Sequence, residues 1–370
     1  MSIFRIEMLP AQQGDALLLE YGDAGQLNHV LIDAGTPSSY AAVKQRLRRL
    51  DQSHPHLELL IVSHIDTDHI GGVLKLFSDS TLDVLIDDVW FNSWEHLPGA
   101  RSDRLGPVDG EILSTQLHDQ KRPWNQAFDG HAVRLPDEGS PPVRSLPGGL
   151  TLTVLSPGRP QLTKLRQNWR AVTTAAGLDP AQPGGPAAAA RRLADLAARK
   201  GIRLDRLGAP IIDTARLAQQ PFEPDRTVAN GSSIVVLAEY QGKSALLGAD
   251  AFPSVVSASV RTLLSDRHQQ KLHLDAVKLC HHGSKHNTNT ELLSLLSCGR
   301  YLFSTNGNIF GHPDEEAVAR VLVHGGGTPT LCFNYSSTIN KVWADPAQQK
   351  QDDYQALFPA PASTGLAVEL

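Results

Sequence analysis

Six consecutive residues, His64-Ile65-Asp66-Thr67-Asp68-His69, put four potential metal-binding side chains directly behind a short, nearly continuous apolar run, LELLIVS at 57–63. Such a run reads as a strand buried on both faces. Two carboxylates and two imidazoles at its end have no apolar purpose, and a sharp turn there can direct several of them to one point. Neutral imidazole nitrogen mixed with carboxylate oxygen is the donor set that divalent cations take. Gly71-Gly72 then leads into VLKLF, a predicted helix, so the local order is strand, ligand loop, helix.

The rest of the chain fits a layered α/β protein around that unit. Three short strands open it, FRIEML, ALLLEY and HVLIDAG, and a helix is predicted over 40–50. After Asn230 the alternation resumes: SIVVLAEY, KSALLGAD, a helix over 253–264, LDAVKLC, a helix over 291–296, RYLFST, a helix over 313–323, and TLCF. Residues 157–229 break the pattern. They are rich in Pro, Gly and Ala, with a predicted helix at 187–200, and read as an insertion or a loosely ordered linker. The expected division is 1–157, an insertion over 158–229, 230–345, and a loosely packed tail over 346–370.

Composition excludes several classes. The three cysteines, Cys280, Cys298 and Cys332, lie far apart and read as buried free thiols. No stretch approaches the roughly 18 uninterrupted apolar residues of a membrane helix, and no leader pattern opens the chain, so no membrane and a cytoplasmic location are expected. The net charge of −5 argues against gripping nucleic acid over the whole surface. Between residues 159 and 216, however, eleven Lys and Arg face four Asp, a basic segment on an acidic body.

Further donors stand at other strand ends. LDAVKLC runs into His281-His282, followed by Gly283, Ser284 and Lys285; the strand before it closes at Leu247-Gly248-Ala249-Asp250; and His312 stands just before the helix predicted over 313–323. Four separate strand or loop ends each offering a ligand or acid-base group weigh more than any single motif.

On SHIDTDHIGG, QQGDALLLEYG, HVLIDAG, EYQGKSALLGAD, VKLCHHGSKHNT and FGHPDEEAV, the chain resembles the metallo-β-lactamase superfamily, and within it the ComEC-type hydrolase-like domain of DNA uptake. The resemblance implies a four-layer αββα sandwich with a helical insertion and a site for two divalent ions, zinc or manganese. It implies that His64 and Asp66 bind one metal, that Asp68 and His69 bind the second, that Asp250 bridges, and that His281 or His282 completes the shell. Asp33 would orient the ligand loop from behind, and His312 would be a general acid or a substrate clamp. Asp66 stands where histidine is commonest, which makes the site harder and more tolerant of manganese. The additional histidine of many members has no clear counterpart; His96, His118 and His131 are candidates.

Two such ions can lower the pKa of a shared water from about 15.7 towards 7, giving a hydroxide nucleophile at neutral pH. Asp68, His312 and Lys285 are the expected catalytic residues, Lys285 neutralising a phosphate. The favoured expectation is a phosphodiesterase or nuclease, with Arg159, Lys164, Arg166, Arg170, Arg191 and Arg192 as possible phosphate contacts or simply a solvated helix face. Hydrolysis of a lactone, thioester or small phosphoester is the first alternative. A non-catalytic binding module, meeting a protein partner through the insertion, is the second.

Overall fold

A computed structural model describes residues 2–50, 54–99, 112–176, 211–361 and 363–370. One sheet runs from edge to edge through Leu366–Glu369, Ser2–Met8, Leu17–Asp23, Gln26–Ile32, Leu59–Ile61 and Val89–Trp90. The other runs through Gln355–Leu357, Thr330–Phe333, Arg300–Phe303, Ala276–Lys278, Lys243–Leu247, Val235–Tyr240, Thr151–Ser156 and Val143–Ser145. Each joins an antiparallel part to a parallel part, the change falling at Gln26–Ile32 in the first and at Lys243–Leu247 in the second.

Alternation along the strands sorts the core into layers. Leu17, Leu19, Leu59 and Ile61 meet Leu152, Val154, Val236 and Ala245 between the sheets, while Leu18, Leu31 and Leu60 point the other way. The outward set is covered by Tyr40–Leu47, Thr67–Ser78, Ile112–Asp119 and Arg159–Ala176, through residues such as Val43, Val73, Leu117 and Trp169. On the far side of the second sheet, Val235, Leu237 and Leu246 are covered by Pro253–Asp266, Thr290–Leu295 and Glu315–His324. The architecture is therefore helix, sheet, sheet, helix, the expected αββα sandwich. Among the described residues, no helix is long and apolar enough to cross a membrane.

Several local expectations are corrected. The helix after the histidine cluster starts at Thr67, so Asp68 and His69 lie in its first turn and Gly71 and Gly72 inside it. Glycine is needed there for contact: a Cβ on Gly72 would sit 2.0 Å from the carbonyl oxygen of Ala34. The run LDAVKLC is strand only at Ala276–Lys278, within the second sheet, and its first residue closes a separate strand, Leu272–Leu274, that pairs with Leu296–Cys298 outside the main sheets. The expected insertion begins as a packed helix, Arg159–Ala176, with Leu162, Leu165 and Trp169 buried. The helix expected at 187–200, with Arg191 and Arg192, lies outside the described residues.

The tail is the largest correction. It forms a helix, Pro346–Asp352, then one edge strand on each sheet: Gln355–Leu357 beside Thr330–Phe333, and Leu366–Glu369 beside Ser2–Met8. Its polar run, QQKQDD, lies in that helix and at its end, and the edge strands themselves are QAL and LAVE.

Candidate metal centre

The donor residues follow the C-terminal ends of strands that pair in parallel, the position where open α/β sheets leave a crevice. Asp33 follows Gln26–Ile32, His64 follows Leu59–Ile61, Asp250 follows Lys243–Leu247, His281 and His282 follow Ala276–Lys278, and His312 lies beyond Arg300–Phe303. Two local devices aim them. Close packing under the ligand turn requires Gly14, whose Cβ would lie 1.7 Å from the carbonyl oxygen of Asp68. His281 and His282 take left-handed conformations in succession, φ 48° and 56°, which swings neighbouring imidazoles towards the crevice.

Asp250 is the hub. Its Oδ1 lies 3.3 Å from His69 Nε2 and 3.5 Å from His282 Nε2, and its Oδ2 lies 3.7 Å from His281 Nε2 and 3.9 Å from His64 Nε2. Each of these imidazoles is held from behind by its other nitrogen: His64 Nδ1 by Ser63 Oγ at 3.1 Å, His69 Nδ1 by Asp33 Oδ2 at 2.8 Å, His281 Nδ1 by Asn287 Oδ1 at 2.9 Å, and His282 Nδ1 by the Ser304 carbonyl at 2.9 Å. Anchoring Nδ1 fixes tautomer and ring orientation and leaves Nε2 free to bind. Asp66 Oδ2 lies 3.6 Å from His64 Nε2 on a side chain 34% exposed, and Asp68 Oδ2 lies 3.9 Å from His282 Nε2.

The donor set fits divalent cations. His64 Nε2 and Asp250 Oδ1 are buried without a hydrogen bond, a costly arrangement unless something else satisfies them. His69 and His282 face one another Nε2 to Nε2 at 3.3 Å, where two bare lone pairs or two N–H groups would repel. Ligand atoms of Asp15, His69, Asp250 and His282 all lie within 4.8 Å of one another. Charge follows the same logic. Burial opposes ionisation of His69, yet Asp250 and Asp33 lift it well above the ordinary histidine range. Burial would raise Asp250, but His282, His69 and His281 hold it well below the carboxylate range.

His312 stands at the mouth, edge-on to His281 with ring centroids 5.3 Å apart, its Nδ1 3.3 Å from Asp314 Oδ2. Burial pushes its pKa down, against Asp314. The Lys285 ammonium meets Glu316 at 3.0 Å, and its backbone N–H donates to Asp314. The three histidines considered for the missing ligand sit elsewhere. His96 packs on Trp124 and contacts Ser93, His118 packs on the same ring and meets Glu95, and His131 is exposed. Of the basic residues, Arg159 bonds Asp137 and Arg166 bonds the Gly99 carbonyl, while Lys164 is exposed.

Sequence reasoning missed Asp15, Lys278, Asp225, Asn230 and Asn287. Asp225 accepts from Asn230 and Asn287, which both contact His281, so the far end of the expected insertion reaches the site. A lysine inside the apolar run LDAVKLC was a signal for a buried partner, since lysine is almost never fully buried unpaired.

Residues 9–151 match the metallo-beta-lactamase superfamily. The metallo-beta-lactamase match takes in Asp15, Asp33 and the cluster from His64 to His69, and stops before Asp250 and the later histidines. No curated protein matches. Solved structures similar to the chain include MEM-A1, a subclass B3 metallo-beta-lactamase isolated from a soil metagenome library (14% identity, 87% of this chain and 92% of that one, TM-score 0.31). Another is a metallo-beta-lactamase with a HARLDQ motif from Cronobacter sakazakii (15% identity, 72% and 71%, TM-score 0.29). A mutant of the CmlA beta-hydroxylase is similar over 98% of this chain and 54% of that one (10% identity, TM-score 0.37).

Proposed function

We propose that the chain is a metal-dependent hydrolase that cleaves phosphodiesters, nucleic acid among them. The observation that carries this reading is the convergence of four imidazole Nε2 atoms on the buried carboxylate of Asp250, with Asp66 and Asp68 added at the rim. His64, Asp66 and Asp250 would hold one divalent cation, and Asp68, His69, His282 and Asp250 the other. Bound there, zinc or manganese would supply Lewis-acid charge and hydroxide at neutral pH. So carboxylate-rich a set favours hard cations and suits the charge that develops on phosphoryl oxygens.

The chain's own groups would do the rest. Asp33 and Ser304 keep His69 and His282 in register. His281, whose side chain is 22% exposed, can carry a proton between solvent and a leaving group, and His312 can hydrogen-bond the substrate at the mouth. The ComEC-type resemblance and the basic stretch after residue 158 support a nucleic-acid substrate. Incubating the protein with Mn²⁺ or Zn²⁺ against a bis-aryl phosphodiester, single- and double-stranded DNA, and a lactone tests the reading. Metal-dependent turnover of the phosphodiester or DNA is expected; turnover of the lactone alone would overturn it.

A further inference from the structure

One buried lysine stands behind two of the proposed ligands. Lys278 lies in the strand Ala276–Lys278 with no exposed side-chain surface, and its ammonium pairs with Asp15, itself 1% exposed. The same ammonium donates to the carbonyl oxygen of Ala249 at 3.4 Å. Ala249 is the residue before Asp250 and has a left-handed backbone, φ 42°, and its carbonyl also accepts from the His281 N–H at 2.8 Å, so the lysine joins a backbone bond in fixing the turn that aims the hub carboxylate. The other oxygen of Asp15 lies 3.3 Å from His282 Nδ1, behind the ring whose Nε2 faces the crevice. The place resembles that of Asp33 behind His69, with two differences: His282 Nδ1 bonds the Ser304 carbonyl, so that Asp15 Oδ1 lies beside that bond, and the two carboxylates are held by different groups. Asp33 is held by the N–H and hydroxyl of Ser63, whereas Asp15 is held by a full positive charge.

Resting on the metal-centre reading above, we propose that Lys278 and Asp15 are positioning residues of that centre. One ammonium holds both the carboxylate that lies against His282 Nδ1, beside its bond to Ser304, and, together with the His281 N–H, the carbonyl that precedes Asp250, tying the loop at residue 15 to ligands from the second sheet. A buried ion pair is in general a weak source of stability, and one replaced by apolar or neutral groups often costs nothing, so a role in ligand orientation is separable from a role in folding.

The test is a cycle of Lys278→Met, Asp15→Asn and the double variant, read by thermal melting and by calorimetric titration with Zn²⁺ and Mn²⁺. Each single variant leaves a polar group buried beside an altered partner and should melt lower. The double variant should regain much of that loss, yet bind metal about 10–100-fold more weakly than the parent, the scale of outer-shell effects on metal sites. Wild-type affinity in a folded double variant would overturn the proposal and leave only a structural ion pair. Should the double variant not fold, Asp15→Asn alone decides, because it keeps the shape of the side chain: weakened metal binding supports the proposal and unchanged binding overturns it. A parent protein that takes up neither metal would instead remove the metal-centre reading, and this inference with it.

Discussion

The two sheets equip the crevice in opposite ways. The first concentrates its donors, with His64, Asp66, Asp68 and His69 arriving on one turn, locked by Asp33 and by glycine contacts with neighbouring backbone. The second disperses them, with Asp250 leaving one strand and His281 and His282 the next, steadied by the side chains of Lys278, Asn287 and Asp225 and by the Ser304 carbonyl behind His282. Backbone contact gives the first half rigidity that no single side chain supplies. Side-chain contact gives the second half more places where one substitution can loosen a ligand.

Replacing Asp250 should erase the distinction. Asp250→Ala removes the group that every site imidazole faces, so metal uptake and turnover should both be lost while far-ultraviolet dichroism stays native; retained metal binding would mean the hub lies elsewhere. Glycine substitutions should separate the halves next. Gly14→Ala drives a Cβ against the Asp68 carbonyl and should cost about 3 kcal/mol or more, beyond repair by any side-chain change. Gly248→Ala meets the Cys280 sulfur at 2.7 Å and the Lys278 carbonyl oxygen at 2.9 Å and should cost about 1–3 kcal/mol, of which adding Cys280→Ala should recover the sulfur's share alone. Denaturant melts of the three variants check this, and equal losses with no recovery would refute the contrast.

Two groups of the first half, both away from the crevice, should be sensitive to acid. Burial, with His118 and His131 nearby, depresses His96 to about 4 from an ordinary 6.5. A histidine depressed in the folded state contributes stability that is complete above pH 6.5 and is lost as pH falls towards 4. Metal-free protein should therefore weaken across that window, and His96→Gln should flatten the slope. The smallest effect belongs to Glu20, which burial would raise but which bonds from Arg46 and Arg5 bring below 4.5. Its contribution is present above pH 4.5 and lost in more acid solution, so Glu20→Gln should shallow only the last part of the melt series.

The same contrast explains what could be read from residue order. The cluster from His64 to His69 was legible because charged and imidazole groups crowd against an apolar strand. Asp250 and the later histidines became legible through their recurrence at strand ends and through resemblance. Asp15 was not, since its partner Lys278 lies 263 residues away and nothing local joins them. Gly71 and Gly72 misled for a related reason: a helix that must touch the Ala34 backbone needs the residues that usually mark its boundary. The layers followed from strand periodicity, whereas the edge strands at 355–357 and 366–369 were too short to separate from a loop.

Those two late strands have a consequence for how the molecule is made. A chain emerging from the ribosome completes every proposed metal donor by residue 282, but Thr330–Phe333 and Ser2–Met8 keep an unpaired side until residues 355–369 arrive. For that interval both sheets offer open backbone to any passing strand, and truncation near residue 350 should yield a protein with all its ligands that sticks to itself.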